Sequence, residues 1–288
     1  MKRLIVTADD FGAACEVNDA VEAAHRSGIL TAASLMVSGP AAADAVARAR
    51  RMPSLRVGLH LVLVEGRPVL PAAEVSELVD RNGEFRSDMA GVGMRLACSR
   101  QARRQLADEI TAQFATFRST GLALDHCNAH KHFHLHPVIG AQLVSIGARF
   151  GLRAARVPAE PSGVLRKVEA DTPWMSNALT RPWALLLRRR MRAAGLLAPD
   201  CVFGLWWSGQ MTAGRLAGLI RNLPDGLSEI YLHPATGPYA GSALGYRYRE
   251  EFSALLSAEV RTACRDASLQ LGGFRDFLSP EPAVHAAT

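Results

Sequence analysis

The sequence predicts an α/β protein in which parallel strands are joined by helical crossovers. Three observations predict it. Short apolar, β-rich runs alternate with helical patterns along almost the whole chain. The 288 residues are 49% hydrophobic and 21% charged, which is enough apolar material for a sizeable core and excludes disorder, collagen and a disulfide-stapled miniprotein. The alternation is interrupted in two segments alone, 65–100 with its glycines and prolines and 158–210, rich in Pro, Arg and Trp, and both read as insertions over one end of the sheet.

The elements follow in order. A strand over Leu4–Ala8 leads to a helix over Val17–His25, a second strand over Thr31–Val37 to a helix over Ala41–Arg51, and a third strand covers Leu55–Leu63. A helix over Arg103–Phe117 precedes a strand over Leu122–Asn128, and Pro137 opens a helix reaching Phe150, with a strand over Leu152–Val157 beyond it. Helix Ala213–Asn222, strand Glu229–His233, helix Glu250–Ala267 and strand Leu269–Phe274 complete seven strands. Such a set either closes into a barrel or stays open as a doubly wound sheet, and periodicity does not decide between them. The first strand ends in Thr7-Ala8-Asp9-Asp10-Phe11-Gly12, an acidic turn that would repel a pyrophosphate, and no Gly-rich dinucleotide fingerprint follows it. One domain is expected over 1–278, with 279–288 a frayed tail.

The compartment expected is the cytoplasm. The apolar run after Met1-Lys2-Arg3 is too short for a signal-peptide core, and no stretch approaches the roughly 18–20 apolar residues of a spanning helix. Five scattered cysteines without a CxxC pair read as reduced thiols. The formal charge of +6 is local, since residues 181–192 carry five arginines and no acid.

Asp9 and Asp10 stand where the first strand ends, the usual side for an active-site mouth. Two adjacent carboxylates resist joint ionisation. A cation would take one as ligand and leave the other to accept a proton from water; the alternative is a helix cap beside a solvated neighbour. His60, in Arg56-Val57-Gly58-Leu59-His60-Leu61, by itself reads as a satisfied core histidine. The densest signal is 124–137, where five of the nine histidines fall within eleven residues. If extended, this stretch would present His130, His132 and His134 on one face; if it turns after Asn128, one of them would reach a site. His233-Pro234 ends another apolar strand. Carboxylates and histidines converging at strand ends form an oxygen and nitrogen ligand set suited to zinc, magnesium or manganese, so metal-assisted hydrolysis is the reaction class expected. No GxSxG, P-loop or HExxH motif is present, which argues against covalent catalysis.

With Thr7–Gly12, Gly58–Leu61, the histidine-rich loop and Leu232–Ala235 in that order, the chain resembles the YdjC-like carbohydrate deacetylase family. The resemblance implies a distorted (β/α) barrel, TIM-barrel-like, that removes acetyl groups from N-acetylated sugars. It implies one divalent ion, magnesium or zinc, held by Asp10, His60 and His130, with Asp9 as general base and His233 as the acid that protonates the departing amine. It also suggests a homodimer. Many relatives read Asp-Ser-His-His-His where this chain has Asn128-Ala129-His130-Lys131-His132, so the middle histidine is absent here. His132, His134 and Arg156 are assigned to substrate contact or orientation, although a plain salt bridge would equally account for Arg156.

The His-rich loop and the Trp- and Arg-rich insertion resemble the hopanoid-biosynthesis-associated branch, which implies an N-acetylglucosaminyl hopanoid lipid as substrate. Segment 174–211 holds all four tryptophans, Leu185–Leu187 and the arginine cluster, a composition suited to peripheral contact with the inner membrane face. On a helix from Trp183 to Leu197, Trp183, Leu186, Leu187 and Met191 share one face. Trp183, Trp206 and Trp207 are the expected lipid contacts; the alternative is that these residues cap the barrel or form a dimer contact. Nucleic acid is not expected, because no RNA- or DNA-binding module accompanies the charge. A metallophosphoesterase or other metallohydrolase, and a hopanoid-binding barrel without activity, are the alternative functions.

Overall fold

The computed structural model describes residues 1–173 and 180–278. Trp174 and the expected tail over 279–288 lie outside the described residues. The strands are β1 (Lys2–Phe11), β2 (Ala32–Leu35), β3 (Arg56–Leu61), β4 (Cys127–Ala129), β5 (Cys201–Phe203), β6 (Gly226–Leu232) and β7 (Gln270–Leu271). The helices are α1 (Cys15–Ser27), α2 (Ala42–Arg50), α3 (Met89–Cys98), α4 (Arg100–Ser119), α5 (Pro137–Arg149), α6 (Ser162–Val168), α7 (Arg181–Ala193), α8 (Ala213–Arg221), α9 (Tyr248–Leu256) and α10 (Ala258–Asp266). Asp88, Ser99 and Thr212 cap α3, α4 and α8 by accepting a backbone N–H three residues on.

Every strand pairing is parallel, in the order β4-β3-β2-β1-β6-β5, with β7 beside the start of β1. The sheet curls into a distorted barrel with helices outside. Its closure explains the distortion. The expected strand over Leu152–Val157 does lie in the barrel wall, yet it makes single bridges, Cys127 with Ala155 and Ala154 with Leu197, rather than a ladder. It spans the gap between β4 and β5 through Arg156 N–H to Cys127 O at 3.1 Å and Val202 N–H to Ala159 O at 3.0 Å. The seventh ladder strand is instead β5, inside the segment expected to be an insertion. Three residues of Cys-Val-Phe bounded by Asp200 and Gly204 give too short a run for sequence periodicity to detect.

Alternation along the strands places one set of side chains inside the barrel. Leu4, Val6 and Ala8 are buried outward under the helices, whereas Thr7 and Asp9 point inward, as do Glu229 and Tyr231 of β6. The register pairs Thr7 with Tyr231 and Ala8 with Leu232, so Asp9 and His233 leave the sheet side by side. Across β3 and β4 the register pairs His60 with Asn128. No helix among the described residues is long and apolar enough to cross a membrane.

Candidate active site

The carboxyl ends of β1, β3, β4 and β6 open onto a cavity of about 620 Å³. Asp9, Asp10, His60, His130, His132 and His233 all line it. At its floor Asp10 Oδ1, His60 Nε2 and His130 Nδ1 form a nearly equilateral triangle with sides of 3.3, 3.4 and 3.2 Å. Three ligands about 2.1 Å from one ion and about 105° apart would stand about 3.3 Å from each other, so the residues present fit a divalent cation with open positions toward the cavity. This is the group of three potential ligands found among the described residues. Burial opposes the Asp10 charge, but His130 and His60 hold its carboxyl well below the usual range. Burial likewise opposes a charged His60, and Asp10, Asp9 and Asn128 together raise its pKa.

The histidine-rich segment turns rather than extends. After β4 it becomes a short 3-10 turn over His130–Leu135, with Lys131 and His132 in the left-handed region. Of the three histidines, His130 alone therefore reaches the ligand triangle. His132 Nε2 lies 2.8 Å from the Tyr231 hydroxyl, and burial lowers its pKa well below the usual value. His134 is fully buried and donates from Nε2 to the Arg156 carbonyl at 2.9 Å, which places it in the wall rather than in the cavity. Lys131 forms an ion pair with Glu65 at the cavity edge. Asp10, Glu65, Lys131 and His132 have φ of 63°, 49°, 51° and 54°, four of the five non-glycine residues with positive φ among those described. All four line this cavity, a concentration of backbone strain typical of functional sites.

Asp9 and Arg156 form the second part of the site. Arg156 is fully buried and donates from Nη1 to Asp9 Oδ2 at 2.5 Å and from Nη2 to Asp9 Oδ1 at 3.0 Å. Its Nε and Nη2 also donate to Glu229 Oε1 at 3.0 and 2.7 Å, and the Thr7 hydroxyl reaches the same oxygen at 2.8 Å. Burial works against the Asp9 charge, but Arg156, with His60 and His233, holds the carboxyl well below the ordinary range. His233 Nδ1 is buried without a hydrogen-bond partner, 4.0 Å from Glu251 Oε2.

The cavity wall carries no periodic or motif signal in the sequence. All four tyrosines of the chain, Tyr231, Tyr239, Tyr246 and Tyr248, line it together with His233 and Trp206. Tyr246 stacks edge-on against His233 with centroids 5.1 Å apart. Glu229 was equally unmarked, although an acid at the second position inward of His233 on an apolar strand was a usable signal. The expected lipid contacts separate. Trp206 is 45% exposed at the cavity and Trp183 is exposed on α7. Trp207 is only 3% exposed and stacks under the Arg215 guanidinium at 5.1 Å, so it packs the core and is not available to a lipid. The α7 helix ends at Ala193, short of Leu197, and buries Ala184, Leu187 and Met191, leaving Trp183 and Leu185 outside.

Comparisons with known proteins agree with this architecture. A family model described as YdjC-like protein matches residues 3–266. A protein of Mus musculus named carbohydrate deacetylase is 34% identical over 310 residues, covering 97% of this chain and 96% of its own length. One of the same name from Geobacillus stearothermophilus is 31% identical over 278 residues, covering 95% and 97%. A solved structure from Enterococcus faecalis V583 superposes with a TM-score of 0.76 at 21% identity over 96% of this chain and 99% of its own, a likeness of fold. Matched by the family model along most of its length, and by full-length relatives above 30% identity, this chain belongs to the YdjC-like protein family.

Proposed function

We propose that the protein hydrolyses the N-acetyl group of an acetamido sugar. The observation that carries this reading is the ligand triangle of Asp10, His60 and His130 set beside Asp9 and His233 in a tyrosine-lined cavity. The full-length relatives named carbohydrate deacetylase support the same reading.

Asp10, His60 and His130 would hold one divalent ion, zinc or magnesium. When bound, such an ion supplies Lewis acidity toward the acetyl carbonyl and lowers the pKa of a water. Asp9 receives the water's proton at Oδ2, which accepts one hydrogen bond from Arg156 and keeps a lone pair toward the cavity. Arg156 fixes the plane of that carboxylate, and Glu229 fixes Arg156. His233, which lines the cavity, donates the proton that converts the departing nitrogen to an amine as acetate leaves. The tyrosine wall packs the sugar ring; Trp206 and the fully exposed Leu244 form an apolar rim beside it.

That rim, and Trp183 and Leu185 on the arginine-rich α7, support a lipid-linked substrate presented at a membrane surface, with the N-acetylglucosaminyl hopanoid as our specific candidate. In this reading the enzyme works in the cytoplasm at the inner membrane face. The test is acetate release from an N-acetylglucosaminyl hopanoid and from short chitooligosaccharides, with chelated and metal-reloaded enzyme. Metal-dependent release supports the reading, and the preferred substrate separates lipid-linked from soluble sugars. No release from either by metal-loaded protein would overturn it.

A further inference from the structure

We infer that a buried chain of four side chains, Asn128, Ser34, His126 and Asp125, runs down the barrel interior and fixes His60 as a ligand through the lone pair of Nε2. The inference rests on the reading of Asp10, His60 and His130 as ligands of a divalent ion. None of the four chain residues touches the ion or substrate, so their role is positioning.

The direction of every hydrogen bond in the chain follows from its two ends. Asp9 Oδ1, which only accepts, lies 3.0 Å from Asn128 Nδ2, so this side of the amide is the NH₂ group. The opposite side is then the carbonyl Oδ1, 2.7 Å from His60 Nδ1, and His60 must carry its proton there. That leaves the Nε2 lone pair for the ion, whichever metal is bound. Asn128 Nδ2 also donates to Ser34 Oγ at 2.9 Å, which frees the Ser34 hydroxyl proton for His126 Nε2 at 3.0 Å. His126 donates from Nδ1 to Asp125 Oδ2 at 2.9 Å. Asp125 ends the chain as an acceptor that also takes the backbone N–H of Phe274 at 3.1 Å and of Arg275 at 2.8 Å. All five side chains are buried, so no water competes for these bonds.

The fold is arranged to hold this chain. His60 and Asn128 are register partners on β3 and β4, and Ser34 and Gly58 are partners on β2 and β3. His126 lies two residues before Asn128 on the same inward face, and its ring occupies the space left by Gly58, where a Cβ would meet it at 2.5 Å. Phe274 stacks on the other side of the ring with centroids 4.3 Å apart. A carboxylate or carbonyl behind a ligating histidine fixes its tautomer and orientation, and losing such a partner costs about 10–100-fold in metal affinity.

The test compares zinc dissociation constants, by competition with a chromophoric chelator, for wild type and for His60→Ala, Asn128→Leu, Asn128→Asp and Ser34→Ala, each shown to be folded by its melting transition. The second readout is the slowly exchanging Nδ1–H of His60 in the nitrogen–proton spectrum of the zinc-loaded protein. Asn128→Leu is expected to weaken zinc about 10-fold or more and to lose that signal. Asn128→Asp, which still accepts from Nδ1 but gives up the donations to Asp9 and Ser34, keeps the signal and binds zinc more tightly than Asn128→Leu. Ser34→Ala weakens zinc by a smaller factor, and it decides the matter if Asn128→Leu does not fold. Equal zinc affinity in wild type, Asn128→Leu and Ser34→Ala, while His60→Ala loses the metal, would overturn this inference and leave the ligand assignment standing. Undiminished zinc binding by His60→Ala would overturn both.

Discussion

The guanidinium of Arg156 holds Asp9 with two nitrogen–oxygen contacts of 2.5 and 3.0 Å and uses its remaining edge for Glu229. One buried cation thus serves two buried carboxylates. Removing it leaves both acids without the guanidinium in low dielectric, so Arg156→Ala should cost about 3–5 kcal/mol of stability in denaturant titrations. Arg156→Lys, which keeps the charge but not the planar fork, should retain more stability while losing most of the turnover.

His134 makes stability depend on acid. Burial pushes its pKa down from the ordinary 6.5 to about 4, against the pull of its bond to the Arg156 carbonyl. The unfolded chain gains a proton here below about pH 6.5 and the native protein only near 4. The contribution is therefore complete above pH 6.5 and is lost as pH falls through that window, by up to about 3 kcal/mol. His134→Gln keeps a donor but does not titrate. The stability difference between wild type and this variant, followed by denaturation from pH 7 to 4.5, should shrink as the pH falls.

Gly58 is required by a close approach rather than by its backbone angle. A Cβ there would meet the His126 ring and its carbonyl oxygen at 2.5 Å, in the middle of β3. Gly58→Ala should destabilise the fold by about 2–4 kcal/mol, as overpacking of a rigid interior does. A melting temperature equal to that of wild type would show that β3 and β4 can separate freely at this point.

Leu244 and Trp206 separate the two substrate readings. Leu244→Asp and Trp206→Ala should reduce turnover of a vesicle-borne acetamido glycolipid about 10-fold or more while changing turnover of a soluble acetamido sugar much less. Equal losses on both substrates would place these residues at the sugar itself.

Much of the fold was legible because the apolar runs repeat with helical patterns between them: β2, β3 and β7 fall within the expected strands, and β1, β4 and β6 overlap them. The barrel's closure was not, because β5 is three residues long and the 154–159 segment bonds singly to its neighbours. At the site, strand-end position and residue type left Asp9 or Asp10 and His130, His132 or His134 open and read His60 as core; the family resemblance singled out Asp10, His60 and His130, and these three stand in one triangle in the structure. The supporting groups were hidden for a different reason. Ser34, Asn128 and Glu229 are ordinary residues in a sequence, and become significant only when the register sets them against His60, His126 and Arg156. The tyrosines were missed because Tyr239, Tyr246 and Tyr248 come to the cavity from the loop after His233 and the start of α9, where no periodicity marks them.

The most direct measurement is a crystal structure of metal-loaded protein with the ion located by its anomalous scattering. The account predicts one ion, coordinated by Asp10 Oδ1, His60 Nε2 and His130 Nδ1, with its remaining positions facing the tyrosine-lined cavity. An ion bound elsewhere, a second ion held jointly with Asp9, or a protein that takes up no ion at all would contradict it.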